Sequence, residues 1–369
     1  MARPNPRPPP VTSARLPSRS CTNDMLRGLQ RLRRIPDVLA LLCVGRTDAS
    51  ERCPVEDAHP IAVNVLGAGY IGCAFAATFR DAGADVTLLE PDADARERAL
   101  DRVERHARAI AAAGLHQGRA GSLRIAAEAS DAVSGASLFL ECGPERLEEK
   151  RAIFADLLTR SAPRDVLASA SSAIPISRTV PDLQAQGRCL VAHPANPPSV
   201  LRVIELIPGA GTAPDTLRRA ERCFERAGFS AVTLKREVEG FVMNRLQGAV
   251  LREAYRLVDE GVASATEIDE VMRLSLGPRW ALSGPFETAE LNTPGGITAH
   301  AARLGPAYKR MGEARGETVN WHPDLVAKVE RDRRSVLPAS EVASRAGWRT
   351  EAVARLVAAR DRIARDEDA

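Results

Sequence analysis

The first strongly patterned stretch is residues 61–66, a mostly apolar run with the length of a buried strand. Gly67-Ala68-Gly69-Tyr70-Ile71-Gly72 follows at once, and a helical pattern comes after it. A second strand, 85–89, ends on the acid Glu90. The pattern then predicts one long Ala- and Arg-rich helix over 94–113 and short strands near 123–126 and 137–141. A helix over 145–159 carries Leu147, Ile153, Phe154, Leu157 and Leu158 close to helical period. Strands are expected at 166–169, 189–192, 203–207 and 231–234, with a helix over 213–227 between the last two. Strands alternating with helices predict an α/β Rossmann fold, a doubly wound and mostly parallel sheet. From about Gly240 the strand pattern stops. Residues 242–261 read as one long helix and the rest as helical, so an all-α C-terminal domain is expected. Asn64 is out of pattern, a polar residue in mid-strand where buried parallel strands are apolar.

The turn at 67–72 is the dinucleotide-binding fingerprint in the context it requires: strand, glycines, helix, second strand, acid. Gly67 permits the tight turn, Gly69 lets the backbone approach a pyrophosphate, and Gly72 lets the helix pack close to the sheet. The N–H groups at the helix start, around Tyr70 and Ile71, face the phosphates. Glu90 is placed to accept from the ribose hydroxyls. Its carboxylate repels a 2′-phosphate, so NAD is expected over NADP.

The chain has 369 residues, enough for two domains. Its 51 basic and 48 acidic residues leave a net charge of +3, which gives no nucleic-acid footprint. Seven cysteines are scattered without CxxC pairs or partnering histidines. That points to free thiols in a reducing, cytoplasmic compartment and to no metal site. Residues 1–58 are Pro- and Arg-rich at first and lack periodicity, and read as a disordered or weakly structured extension. Within them a basic stretch, 27–34, precedes an apolar run. Pro36 and Asp37 interrupt it, and it is too short to span a bilayer, so neither a targeting signal nor a membrane span is expected. The division expected is an extension over 1–58, an NAD-binding domain over 59–239 and a helical domain over 240–369.

Oxidising a secondary alcohol with NAD needs a base for the hydroxyl proton. His193 ends a predicted strand on the carboxyl side, where open α/β sheets place ligands. Glu205 sits in the otherwise apolar "VIELI", and a buried carboxylate needs a partner. The second nitrogen of His193 is the natural one, fixing the tautomer and stabilising the imidazolium. The alternative for Glu205 is an exposed position on an edge strand.

Five further segments are "ECGPERLEEK" (141–150), "SASSAIPIS" (169–177), "VAHPANPP" (191–198), "VIELIPG" (203–209) and "EGFVMNRL" (239–246). In this order and spacing they resemble the 3-hydroxyacyl-CoA dehydrogenase family over about residues 60 to 360. Within it, "SGPFETAELN" and "WHPDLVAKVERDRR" look most like the L-gulonate 3-dehydrogenase branch, that of lambda-crystallin. The resemblance implies that Ser172 and Asn244 take the substrate-binding positions, each able to hydrogen-bond the reacting oxygen. It also implies that Glu145, Lys150 and Asn196 line the nicotinamide ribose and ring pocket. Glu145 and Lys150 read equally well as a solvated helix face. The family's dimerisation implies a homodimer.

Acyl-CoA members tend to read "GxPMGPF" where this chain has "LGPRWALSGPFE", which introduces Arg279 and Trp280. An arginine suits a free carboxylate through a bidentate pair. The expected activity is therefore NAD-dependent oxidation of a small 3-hydroxy acid, gulonate-like. The alternatives are a 3-hydroxyacyl-CoA dehydrogenase, a carnitine dehydrogenase, and a non-enzymatic NAD-binding structural protein of lambda-crystallin type.

Overall fold

The computed structural model describes residues 61–119, 121–132, 135–316 and 322–342, with isolated positions beyond. The reading of residues 1–58 as an extension lies outside the described residues. The described chain groups into two compact units, one ending at Glu270 and one beginning at Val271.

The first unit is built on an eight-stranded sheet. Its strands are β1 (Ala62–Leu66), β2 (Asp85–Leu89), β3 (Ser122–Ala126), β4 (Leu138–Glu141), β5 (Val166–Ser169), β6 (Cys189–Pro194), β7 (Val203–Pro208) and β8 (Ser230–Thr233). Their order is β3-β2-β1-β4-β5-β6-β7-β8. The chain thus starts in the middle and winds outward both ways, leaving a crevice where β1 and β4 adjoin, at the carboxyl ends of the strands. All neighbours run parallel except β6 and β7. Parallel strands need a crossover of a dozen residues or more. The segment between β6 and β7, residues 195–202, is too short for one, so β7 returns antiparallel.

Helix α1 (Tyr70–Asp81) follows the glycine turn and buries residues 72–79 against the sheet. Phe75 and Phe79 pack there with Phe224 and Phe229, ring centroids 5.6–6.4 Å apart. Each fully buried Phe contributes about 1.5–3 kcal/mol. Close packing depends on Gly72, because a Cβ there would lie 1.9 Å from the carbonyl oxygen of Gly67.

The helix expected over 94–113 is two helices, α2 (Ala93–Glu97) and α3 (Ala99–Ala112), meeting at Arg98. Asp92 caps α2 by accepting from the Ala95 N–H. No residue of α2 is buried, whereas α3 buries the helical stripe Ala99, Val103, His106 and Ile110. The break lets that stripe turn onto the sheet layer. Helices α4 (Leu147–Arg160), α5 (Ile176–Thr179) and α6 (Pro214–Arg226) complete the layers, and α7 (Met243–Asp259) follows β8. By compactness α7 groups with the sheet, and the two compact units divide at 270/271. The reason is local, since the start of α7 is bonded to groups of the sheet unit.

Helix α8 (Ala265–Val271) leads into the second unit. There α9 (Gly277–Trp280), α10 (Pro285–Leu291), α11 (Gly296–Ala314) and α12 (Pro323–Val336) are all helical, as expected. Glu290, fully buried on α10, is ion-paired with Arg333 and Arg334 of α12. Among the described residues no helix is long and apolar enough to cross a membrane. The described cysteines Cys73, Cys142, Cys189 and Cys223 are free thiols.

Candidate active site

The turn from β1 into α1 has the geometry the fingerprint requires. Gly67 has φ +106°, a left-handed conformation open to glycine, and a Cβ there would lie 2.9 Å from the Cys142 carbonyl oxygen. Around Gly69 nothing lies within 4 Å of where a Cβ would stand. The turn therefore presents bare backbone outward. Gly69 is also the N-cap of α1 and no side chain caps the helix, so the first-turn N–H groups of Tyr70 and Ile71 remain for a ligand. These residues fit the diphosphate of a dinucleotide.

Glu90 lies at the end of β2 beside the turn. Its Oε2 accepts from the Ala68 N–H at 2.8 Å and its Oε1 from the Asp92 N–H at 3.0 Å. A carboxylate has about four acceptor sites. Two remain for ribose hydroxyls.

Across the sheet, His193 on β6 pairs directly with Glu205 on β7 in the antiparallel register. Cross-strand partners on one face bring their side chains together. Nδ1 of His193 lies 2.8 Å from Oε2 of Glu205, and both residues are buried. A carboxylate can only accept, so Nδ1 carries the proton, and in the neutral imidazole Nε2 is the nitrogen with the lone pair. The other oxygen of Glu205 accepts from the Val242 and Met243 N–H groups at 3.0 and 3.1 Å. Burial pushes the Glu205 carboxyl up, but the His193 bond and the two backbone donors outweigh it and hold the group below its ordinary value.

Those two donors depend on Phe241. It is fully buried, sits at φ +51°, and its ring lies 5.4 Å from that of His193. Positive φ is rare for a bulky residue and marks a conformation the surroundings enforce. Here it turns the chain into α7 so that successive N–H groups meet Glu205. Sequence reasoning passed over Phe241, because a backbone angle leaves no trace in residue type unless glycine adopts it.

Asn244, in the first turn of α7, donates from Nδ2 to the Ser172 carbonyl oxygen at 2.8 Å. The Ser172 N–H donates to Glu145 Oε1 at 3.1 Å. Glu145 lies in the turn before α4, not on its solvated face, and also accepts from the Ser171 hydroxyl and the Ala173 N–H. Lys150 is 1 % exposed, buried where a solvated face was the alternative. It donates to both oxygens of Glu141, each at 2.9 Å. Sequence reasoning also missed Glu141, although an acid closing the apolar strand "LFLE" parallels Glu90 closing "DVTLL".

Asn196 is exposed in the segment after β6 and precedes a cis peptide bond to Pro197. Ser199 of the same segment hydrogen-bonds His106 at 3.0 Å, and the Tyr70 ring meets that imidazole in a T-shaped contact with centroids 4.7 Å apart. Burial pushes His106 below its ordinary value, and the residue links the glycine turn to the segment carrying Asn196. Arg279 belongs to the second unit. Its Nε donates to the Ser275 carbonyl oxygen at 3.0 Å. It lines a cavity of about 650 Å³ with Trp280, Phe286, Asn292, His300 and Arg303.

Comparison with known proteins agrees with this geometry. Residues 62–238 match the family model described as "3-hydroxyacyl-CoA dehydrogenase, NAD binding domain", and residues 240–333 match the C-terminal domain of the same family. A lambda-crystallin homolog of Bos taurus is 37 % identical over 305 residues, covering 80 % of this chain and 95 % of that protein. An L-carnitine dehydrogenase of Streptomyces griseus is 35 % identical over 257 residues, covering 69 % and 76 %. Among solved structures, 5-formyl-3-hydroxy-2-methylpyridine 4-carboxylic acid 5-dehydrogenase, an NAD-dependent dismutase, superposes with a TM-score of 0.62 at 26 % identity, covering 75 % of this chain and 97 % of that one.

Proposed function

The chain belongs to the 3-hydroxyacyl-CoA dehydrogenase family and is an NAD-dependent oxidoreductase, and from that premise we propose that it oxidises a small free 3-hydroxy acid to the 3-oxo acid, with His193 as base. The observation that carries the proposal is the buried pair of His193 and Glu205, at 2.8 Å, with Nε2 left as the accepting nitrogen. Bound NAD supplies the hydride acceptor. Nε2 takes the hydroxyl proton as the carbonyl forms, and Glu205 stabilises the resulting imidazolium. A dry site strengthens that charge pairing. Ser172 and Asn244 orient the reacting oxygen, and Asn196 lines the nicotinamide pocket. Glu90 selects NAD by repelling a 2′-phosphate.

An arginine at 279, where acyl-CoA members tend to read otherwise, suits a free carboxylate better than a thioester. Two relatives point the same way by name, one a dehydrogenase of L-carnitine and the other of a pyridine carboxylic acid. Gulonate-like acids suit the similarity to lambda-crystallin relatives. The 3-hydroxyacyl-CoA reading is kept alive by a relative so named in Gibberella moniliformis, 33 % identical over 251 residues. We further propose a homodimer with a helical domain over 240–369 that bears the interface. No residue of α7 is buried, and Leu246, Leu251, Tyr255 and Val258 are exposed along it. Sedimentation velocity reads the dimer. NADH formation across L-gulonate, L-carnitine, 3-hydroxybutyrate and 3-hydroxybutyryl-CoA tests the activity, and turnover of the thioester alone would refute the free-acid reading.

A further inference from the structure

We propose that Lys150 is a positioning residue: gripped by the buried carboxylate of Glu141, it anchors Glu145, and through Glu145 it sets the loop that carries Ser172 against Asn244. The proposal rests on the assignment of Ser172 to the substrate oxygen.

Glu141 is the last residue of β4, in register with Leu66 at the end of β1 and Ser169 at the end of β5. It therefore lies in the centre of the sheet, next to the glycine turn, and is fully buried. Three groups donate four hydrogen bonds to it. Lys150 Nζ reaches both oxygens at 2.9 Å, the Ser169 hydroxyl donates to Oε2 at 2.6 Å, and the Gly143 N–H donates to Oε1 at 2.7 Å. A carboxylate so held is a fixed anchor.

Lys150 spends its remaining reach on Glu145, whose Oε2 lies 3.5 Å away. Unlike Glu141, the Glu145 side chain is 44 % exposed, so nothing in a core holds it. Its Oε1 gathers three consecutive donors, the Ser171 hydroxyl and the Ser172 and Ala173 N–H groups, the last two at 3.1 Å. Ser171 then accepts from the Ile174 N–H at 2.7 Å, and the Ser172 carbonyl accepts from Asn244 at 2.8 Å. The network runs without a gap from the sheet centre to the start of α7.

An ion pair buried this deeply is weak as a source of stability, since an apolar pair of the same volume does as well or better. One carboxylate would neutralise Lys150. A second, half-exposed carboxylate gives the ammonium a positional role, because it offsets the repulsion between the two acids and fixes the outer one in place.

Hydrogen exchange is read on the cofactor-free full chain, and kcat on the same chain with NAD supplied. The variant Glu141→Gln/Lys150→Met removes both charges together, so it avoids leaving one buried and unpaired. Hydrogen exchange at residues 171–173 should quicken in this variant, and kcat at saturating NAD should fall on the order of 10²-fold from misplacement of the loop. Wild-type exchange and kcat in the folded double variant would reduce the pair to core filling. A loss of NADH affinity with kcat unchanged would make Lys150 a cofactor ligand instead. Glu145→Ala, at a half-exposed site, decides the matter should the double variant not fold. It should release the same amides, while Glu145→Gln, which keeps an accepting oxygen, should retain most of their protection. Unchanged exchange at 172 and 173 in Glu145→Ala would overturn the proposal. The exchange readout needs no substrate, so it stands or falls apart from the proposed activity.

Discussion

His193 and Glu205 face each other across the antiparallel pairing of β6 and β7, the one place among the described strands where the sheet reverses direction. Parallel neighbours would be joined by a distant crossover. The reversal instead places imidazole and carboxylate twelve residues apart and in direct register. His193→Gln should therefore bind NADH normally and lose about 10²–10⁴-fold in kcat. Glu205→Gln should lose less, because in the proposed mechanism Glu205 orients and stabilises the imidazole without taking the proton from substrate. Near-normal turnover in His193→Gln removes it from the mechanism.

Glu205 also ties stability to pH. Burial alone would raise its carboxyl, but the His193 and backbone bonds bring it below its ordinary 4.5. A group depressed in the fold stabilises it fully above the unfolded pKa and loses that contribution as pH falls through the folded pKa. The stability gap between wild type and Glu205→Gln in urea should be widest above pH 4.5 and close as the pH drops below it. A gap constant from about pH 7 to about pH 3 would mean that Glu205 has no such coupling.

Phe241 should invert the usual order of side-chain truncation. Phe241→Ala removes a fully buried ring and should cost about 3–5 kcal/mol. Phe241→Gly removes one carbon more, yet glycine relieves the left-handed backbone at φ +51°, a gain of about 1–2 kcal/mol. The glycine variant should thus be the more stable of the two in urea. The opposite order would show that the backbone at 241 relaxes freely.

Much of this arrangement was legible in residue order. The glycine turn, Glu90 and the His193–Glu205 partnership follow from rules of local chemistry: a ligand-facing turn needs glycine, and a carboxylate in an apolar strand needs a partner. The alternation of strands and helices gave the layers. What stayed hidden depends on geometry. The reversal of β7 was readable only from the shortness of residues 195–202. The break at Arg98 arises because α3 turns its buried stripe inward, a tertiary demand absent from the helical pattern of 94–113. Lys150 looks like any lysine of a charged helix start until the sheet brings Glu141 beneath it.

Glu90 predicts cofactor choice. Two of its acceptor sites are engaged by Ala68 and Asp92, and in the proposed reading this held carboxylate repels a 2′-phosphate. Glu90→Ala should weaken NAD and narrow its advantage over NADP in kcat/KM. Equal use of NADP by the wild type contradicts this role.

The free-acid reading is tested most directly by kcat/KM for L-gulonate against 3-hydroxybutyryl-CoA, measured as NADH formation in wild type and in Arg279→Met. A charged hydrogen-bonded pair is worth about 1.5–3 kcal/mol, roughly 10- to 150-fold. The wild type should prefer the acid. Arg279→Met should lower the acid-to-thioester ratio by that factor and leave the thioester value nearly unchanged. A wild type that prefers the thioester, or a ratio that Arg279→Met does not move, contradicts the account.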